Sequence, residues 1–206
     1  GDNVSRTISP MGVVSPHLEG VAPDQTVNDW LEHGAWMTEG EKIEVPEGLS
    51  AREWLAQYYF EHYSKEYDVD LASFCTRSEI MDSILYSLFP NLAPWAGFHP
   101  NLTYRMKPYG DNHEMCTMEI IFLMRYPDGA ERPADAPVHK LDKDQLFSEA
   151  PGLEGGIGRV FDQDFSNLKM VQKGLKNLES KEVVLANYQE IRIRHFHQTL
   201  DKYLNA

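Results

Sequence analysis

Two stretches of alternating apolar and polar residues, separated by turn residues, limit the folds open to this chain more than any other feature. The apolar positions lie two residues apart in each stretch and so share one face of a strand: Leu102, Tyr104 and Met106 in NLTYRMKPYG, and Met118, Ile120, Phe122 and Met124 in CTMEIIFLMRYPDG. Turn residues occupy positions 110–113 between them. The pattern predicts a long antiparallel hairpin with one apolar face.

Helical patterns surround this hairpin. They cover residues 23–40, a segment that starts at the capping box Ser50-Ala51-Arg52-Glu53, residues 72–88 with Pro90 as the stop, and residues 184–204. Residues 4–14 suit a strand and a turn, and residues 126–151 a loop with one helical turn at 144–147. Strands and helices in separate blocks predict an α+β domain, in which an antiparallel sheet packs against helices and encloses an apolar cavity.

Composition limits the size and the partners of the protein. A chain of 206 residues is long enough for one substantial core, and we expect a single domain over residues 1–206. The formal charge of −13 disfavours nucleic acid and anionic membrane surfaces as partners. Cys75 and Cys116 have no CxxC or CxH neighbours, which favours reduced thiols in a cytoplasmic protein. The start at Gly1, with no signal-peptide pattern, indicates a piece of a longer chain.

Two aspartates stand one residue apart in RVFDQDFSNLKMVQKGL, which has the spacing of a helix from about residue 161. On a continuous helix, Asp164 lies on an apolar row with Leu168, Val171 and Leu175. Asp162 lies on a polar row with Ser166, Lys169 and Lys173. A carboxylate that points into an apolar interior needs a donor, a cation or a metal as its partner. The spacing leaves two hypotheses for Asp164, a helix cap and a metal ligand, and caps are the commoner.

Several segments together resemble the catalytic domain of the α subunit of Rieske non-haem iron ring-hydroxylating oxygenases. They are, in the family's order, SRTISPMGVVSPH, LFPNLAPWAGFHPNLTYRMKPYGDN, MEIIFLMRYPDG, VFDQDFSNLKMVQKGL and QEIRIRHFHQTLDKYL. FPNLAPW and FDQDFSNL are the most specific pieces, and residues 21–47 match least. The resemblance implies a START-like helix-grip fold. It also implies an enzyme that inserts oxygen from O₂ into an aromatic or other apolar substrate, as in the catabolism of aromatic compounds.

The same resemblance implies a mononuclear Fe(II) bound by two histidines and one aspartate, a ligand set that leaves positions on the metal open for O₂. Asp164, three residues before Asn167, matches the family's aspartate, which makes Asp162 a solvated neighbour or a cap. By the resemblance, the two histidines and the ligands of the [2Fe–2S] Rieske cluster lie upstream of Gly1, and no other residue here receives a catalytic role. The fragment alone is therefore predicted to be inactive and to hold no iron tightly.

The resemblance also implies partners. Family members take electrons from ferredoxin and reductase proteins and often form homotrimers in which the cluster of one subunit serves the iron of its neighbour. A small apolar or aromatic substrate and O₂ complete the set. The apolar strand face with Met106, Met118 and Met124 is then either core or a pliant wall of the substrate pocket.

Other candidates lead to less specific interpretations. His195 and His197 point to different sides of the last predicted helix, and His197, which lies on an apolar row, is predicted to be a packed or interface residue rather than a ligand. GLEGGIG lacks the spacing of a phosphate-binding loop, which favours a hinge before the ligand helix. One alternative function is a START-like lipid or steroid binding module without catalysis, and Asp164 distinguishes it from an oxygenase because a carrier needs no such acid. Another is a regulatory or structural subunit that has lost the iron.

Overall fold

The computed structural model describes residues 2–14, 17–33, 42–98, 101–154, 156–180 and 182–206. The elements within these ranges are β1 (Val4–Ser9), α1 (Pro23–His33), α2 (Ala51–Tyr67), α3 (Arg77–Met81), β2 (Ser83–Leu88), β3 (Leu92–Ala96), β4 (Leu102–Tyr109), β5 (Asn112–Phe122), α4 (Gly156–Ser166), α5 (Leu168–Asn177) and α6 (Ile191–Leu204). Single-turn 3₁₀ helices occur at Leu71–Ser73 and Phe147–Glu149. No helix in these ranges is long and apolar enough to cross a bilayer. The predicted end of the first helix at Gly40 lies outside the described residues.

The chain divides into two compact units. The sheet unit comprises Gly1–Val13, Leu49–Glu131 and Leu185–Ala206, and the helical unit comprises Val14–Gly48 and Arg132–Val184. The sheet unit contains all five strands with α2, α3 and α6, and the helical unit contains α1, α4 and α5. That residues 1–206 form one catalytic domain stays a prediction.

The sheet is antiparallel throughout, with the strand order β1-β2-β3-β4-β5. The predicted hairpin is confirmed, because the apolar residues of β4 face those of β5 in the pairs Leu102–Phe122, Tyr104–Ile120 and Met106–Met118. Its connection is tighter than expected, since only Gly110 and Asp111 separate the strands and Gly110 has a φ of 56°. Met124 lies beyond the end of β5 and is 74% exposed, so its predicted place on the strand face is wrong.

The helix predicted over residues 72–88 is wrong for most of its length. Only Arg77–Met81 is α-helical, started by a capping box between Thr76 and Glu79. The residues that follow form β2, which is paired with β1 on one side and with β3 on the other. Sheet hydrogen bonds on both edges therefore override a helical spacing that the sequence also satisfies.

Helix α2 provides much of the core of the sheet unit. The predicted capping box is present, since the Ser50 side chain accepts a hydrogen bond from the Glu53 N–H and the Glu53 carboxylate accepts one from the Ser50 N–H. Leu55, Tyr59 and Tyr63 are buried on one side of the helix. The Tyr59 and Tyr63 rings stack with centroids 5.9 Å apart, so these two aromatic side chains pack in the core.

Helix α6 packs against the sheet next to β1, which is the helix-grip element of the α+β fold predicted from the sequence. It begins at Ile191, later than the predicted residue 184. Thr199 is its buried residue, and its hydroxyl oxygen lies 2.8 Å from the His195 carbonyl oxygen and 3.2 Å from that of Asp2. The rings of Phe196 and Tyr203 contact Phe89 at the β2–β3 turn, with centroids 5.3 and 5.1 Å from it.

Candidate functional site

Asp164 lies near the C-terminal end of α4, and its side chain is exposed. Ile157 and Val160 precede it by seven and four residues and so share its row on the helix, and they are 37% and 44% exposed. No residue in the described ranges forms a hydrogen bond or an ion pair with the Asp164 carboxylate. The Asp164 carboxylate thus lies on an apolar row of α4 and has no hydrogen-bond or ion-pair partner among the described residues.

The helix that carries Asp164 is shorter than predicted. Helix α4 ends at Ser166, and α5 begins at Leu168 with Asn167 as its N-terminal flanking residue. The predicted row from Asp164 through Leu168 to Leu175 is therefore split between two helices, and those leucines are 54% and 40% exposed. The expectation that Asp164 points into a buried interior is wrong for the helical unit, and so is the cap hypothesis, because α4 already begins at Gly156.

Asp162 is the aspartate with partners. Its Oδ1 accepts a hydrogen bond from the Phe147 N–H at 2.6 Å, and its Oδ2 accepts bonds from the Ser148 hydroxyl at 2.5 Å and the Ser148 N–H at 3.4 Å. The Ser148 hydroxyl, followed by the two backbone N–H groups, lowers the pKa of the Asp162 carboxyl against the opposing effect of burial. Asp162 therefore caps the start of the 3₁₀ helix Phe147–Glu149, not its own helix, and the expected solvated position is wrong.

The face of α4 around Asp162 is packed against the same 3₁₀ helix. Phe161 is 3% exposed, and the ring of Phe147 lies 5.5 Å from that of Phe161 and 4.8 Å from that of Phe165, centroid to centroid. Gly158 is buried so closely that a Cβ there would stand 2.0 Å from the Leu153 carbonyl oxygen and 2.9 Å from the Ser148 Cα. The glycines at 156 and 158 thus belong to a helix, and the predicted hinge at Gly158 is wrong.

An iron centre needs more donors than this surface supplies. The free carboxylate of Asp164 fits the role of one ligand to a hard divalent cation. Within the described ranges, however, no three His, Cys, Asp or Glu side chains come together in a group that could hold a metal. The described residues therefore fit a single iron ligand and not a complete set.

A second feature is a cavity of about 320 Å³ in the sheet unit, between α6, β1 and the β2–β3 turn. Its wall is mostly apolar and comprises Asn3, Ser5, Ser87, Leu88, Phe89, Pro90, Asn91, Leu92, Ala93, Met106, His195, Phe196 and Thr199. Met106, which is paired with Met118 across β4 and β5, is one of these lining residues. Of the methionines on the predicted apolar strand face, Met106 is thus the one that lines this cavity. The volume is at the lower end of the ~300–1,000 Å³ typical of small-molecule sites.

The two histidines of α6 differ in exposure. His195 is half-buried and lines the cavity, whereas His197 is exposed and makes an edge contact with the Phe196 ring. His197 is therefore not packed within the chain, and its alternative place in an interface stays a prediction. Thr199, four residues after His195, is buried and lies on the same side of the helix. Because threonine is polar, its burial could not be predicted from the hydrophobic pattern of the sequence.

Comparison with protein families matches residues 8–206 to the model described as the ring hydroxylating alpha subunit (catalytic domain). No curated protein and no solved structure matches the chain. The match includes residues of both compact units and runs from Ile8, near the end of β1, through α6. On that match, the chain belongs to the family of catalytic domains of ring-hydroxylating oxygenase α subunits.

Proposed function

We propose that this chain is the catalytic part of an oxygenase that hydroxylates an aromatic or other apolar substrate at a mononuclear Fe(II), and that Asp164 is the iron ligand that the chain contributes. The carboxylate of Asp164, which has no protein partner in the described ranges, carries the proposal. The family match supports the reaction class, and the position of Asp164 in FDQDFSNL, like that of the family's aspartate, supports the residue.

When bound, the iron supplies the activation of O₂. Asp164 contributes a hard oxygen donor whose negative charge offsets part of the metal's charge, and both of its oxygens are available because no side chain in the described ranges competes for them. Ile157 and Val160, on the same row, place apolar surface next to the carboxylate. Such a surface favours an apolar reactant over a charged one.

We place the substrate wall on the face of the sheet that bears Met106 and Met118. The cavity at this face supports the proposal, since the side chains around it include aromatic and thioether groups and His195 is the one ionisable group among its described lining residues. A wall without carboxylates or ammonium groups suits a neutral, planar molecule. Thioethers are flexible and polarisable, and they adapt to ring edges of different shape.

The remaining elements follow from the family. We propose that the iron is completed by two histidines outside this chain, and that ferredoxin and reductase partners supply electrons through a [2Fe–2S] cluster. We further propose a homotrimer in the cytoplasm. The acidic surface, with a formal charge of −13, suits a redox partner that presents basic residues.

The test uses the full-length protein that contains this segment, purified with its cluster. Asp164→Ala should lose the mononuclear iron, measured as metal content per chain, and should lose O₂ uptake with a panel of neutral aromatic compounds. The visible absorption of the cluster should persist, because its ligands lie elsewhere. Asp201→Ala, an exposed acid on α6, is the matched control and should keep both iron and uptake. Retention of the mononuclear iron by Asp164→Ala would refute the assignment.

The cavity next to α6 also favours a second candidate, a carrier of apolar ligands without chemistry. A carrier would consume no O₂, and the substitution Asp164→Ala would leave its affinity for the ligand unchanged. Titration of the native protein and of Asp164→Ala with one neutral aromatic compound, with and without Fe(II), separates the two functions.

A further inference from the structure

We infer that Asp162 is a positioning residue, which fixes α4 so that Asp164 is presented at a constant place and orientation to the iron. The inference rests on the proposed function of Asp164. It assigns different tasks to the two acids of FDQDF, one toward the protein and one toward the metal.

The contacts of Asp162 are those of an anchor. Both of its carboxylate oxygens are engaged, and they accept three hydrogen bonds from two consecutive residues, Phe147 and Ser148. Asp164, two residues later, accepts none from the described residues. At 3.6 residues per turn, positions two apart are separated by about 200° around the helix. One carboxylate therefore binds the neighbouring segment while the other points away from it.

The packing around Asp162 makes this attachment tight. Gly158 brings the backbone of α4 against Leu153 and Ser148, and Phe161 is buried against Phe147 on the same face. Hydrogen bonds are directional, so a hydrogen-bonded carboxylate in a closely packed contact restricts rotation of the helix about its axis. Apolar packing alone restricts this rotation less. Because a helix is stiff over two residues, fixing Asp162 also fixes the backbone of Asp164.

An ion pair joins the loop before the 3₁₀ helix Phe147–Glu149 to helix α5. Lys169, at the start of α5, lies 2.6 Å from Asp144, and both side chains are well exposed. An exposed ion pair of this kind contributes little to stability. The half-buried hydrogen bonds of Asp162 therefore carry the positioning.

Substitutions of Asp162 and Ser148 remove different numbers of these hydrogen bonds. Asp162→Ala removes all three hydrogen bonds and leaves the N–H groups of Phe147 and Ser148 without this acceptor. Asp162→Asn keeps one oxygen for the Phe147 N–H and presents an amide that can donate to the Ser148 hydroxyl, so it restores part of the network. Ser148→Ala removes only the hydroxyl bond.

The experiment measures Fe(II) affinity of the full-length protein by competition with a chelator, and the visible spectrum of the Co(II)-substituted site. Groups that orient a metal ligand typically change affinity by about 10- to 100-fold when mutated. We expect a loss in that range for Asp162→Ala, with shifted Co(II) bands, and a smaller loss for Asp162→Asn. Adding Ser148→Ala to Asp162→Ala should cause no further loss, because both act in one network.

Controls separate the possible outcomes. Leu55→Ala destabilises the core of the sheet unit and should leave the Fe(II) affinity of folded protein unchanged, so a general loss of stability cannot imitate positioning. If Asp164→Ala loses iron while Asp162→Ala retains full affinity and unshifted Co(II) bands, the inference is overturned and the proposed function stands. If Asp164→Ala keeps the iron, the proposed function fails and the inference falls with it.

Discussion

Arg52 and Asp82 form a two-pronged ion pair in the sheet unit, in which Nη1 and Nη2 of the guanidinium lie 2.6 and 3.0 Å from the two carboxylate oxygens. Asp82 is 4% exposed and also accepts hydrogen bonds from the Ser78 hydroxyl and the Met11 N–H. Arg52 in turn donates to the Met11 carbonyl oxygen at 2.7 Å. The pair thus joins the turn after β1 to α2 and α3.

Removal of Arg52 should lower the free energy of unfolding more than removal of Asp82 does. Arg52→Ala leaves a buried carboxylate without its cation, and we expect a loss of about 3 kcal/mol or more in the free energy of unfolding. Asp82→Ala leaves an arginine whose side chain is 23% exposed and so partly hydrated, and the loss should be smaller. Urea denaturation of the two variants and of the double variant measures the coupling. Equal losses that simply add would show that the two side chains stabilise the fold independently.

The same pair predicts a pH dependence. Burial alone raises the pKa of Asp82, but the hydrogen bonds from Arg52, Ser78 and Met11 outweigh it and leave the pKa below its ordinary value. The folded pKa is thus lower than the unfolded one of about 3.9, so this stabilisation is present above that pH and is lost as the pH falls through the folded pKa. Unfolding free energy measured from pH 6 downward should fall more steeply for the native sequence than for Asp82→Asn. Parallel curves would contradict the assignment.

Two glycines in the helical unit offer a matched pair of substitutions. Alanine normally stabilises a helix relative to glycine by about 0.5–1 kcal/mol. Gly174→Ala on α5 should follow that rule, because, apart from its chain neighbours and its own helix backbone, no atom of the part of the chain that the structure describes lies within 4 Å of the added Cβ. Gly158→Ala should instead destabilise, by about 1–3 kcal/mol, since its Cβ would overlap the Leu153 carbonyl oxygen. Thermal unfolding monitored by circular dichroism checks both signs, and a stabilising Gly158→Ala would contradict the packing of α4.

The 206-residue chain on its own should bind Fe(II) weakly and catalyse no oxygen insertion. One carboxylate leaves the rest of the metal's coordination shell to water, and in the described ranges there is no group of three donors. Equilibrium dialysis with Fe(II) should therefore give no stoichiometric binding that depends on Asp164. Tight binding through other side chains would be incompatible with the proposed site.

Filling the cavity next to α6 should weaken binding of a neutral aromatic probe. Met106→Trp adds an indole to a space of about 320 Å³, and we expect the affinity for toluene to fall about tenfold or more, as measured by ligand-observed NMR. Met115→Trp, on β5 and outside the lining residues, is the control and should bind like the native protein. Equal binding by both variants would exclude this cavity as the substrate wall.

Short-range chemistry predicted the sheet hairpin and the start of α2, because alternation, a Gly-Asp turn and a capping box act within a few residues. It failed at β2, where SILYSL also satisfies helical spacing and only pairing with β1 and β3 decides the structure. It failed again at Asn167, which has helical backbone angles and offers no proline or glycine to mark the break between α4 and α5. The assignment of Asp164 as iron ligand stays a prediction, and the sequence reversed the surroundings of the two aspartates, since Ser148 and Phe147 reach Asp162 from a segment 14–15 residues away.

The contact between Thr199 and Asp2 spans 197 residues and has a consequence for synthesis on the ribosome. Within this segment β1 is synthesised before the other strands, and α6, the helix that packs beside it, is synthesised after all of them. Until then, the nascent sheet presents the apolar surface around Phe89 and Met106 to water or to chaperones. Release of α6 from the exit tunnel, and not completion of the strands, is thus the step that closes the sheet unit.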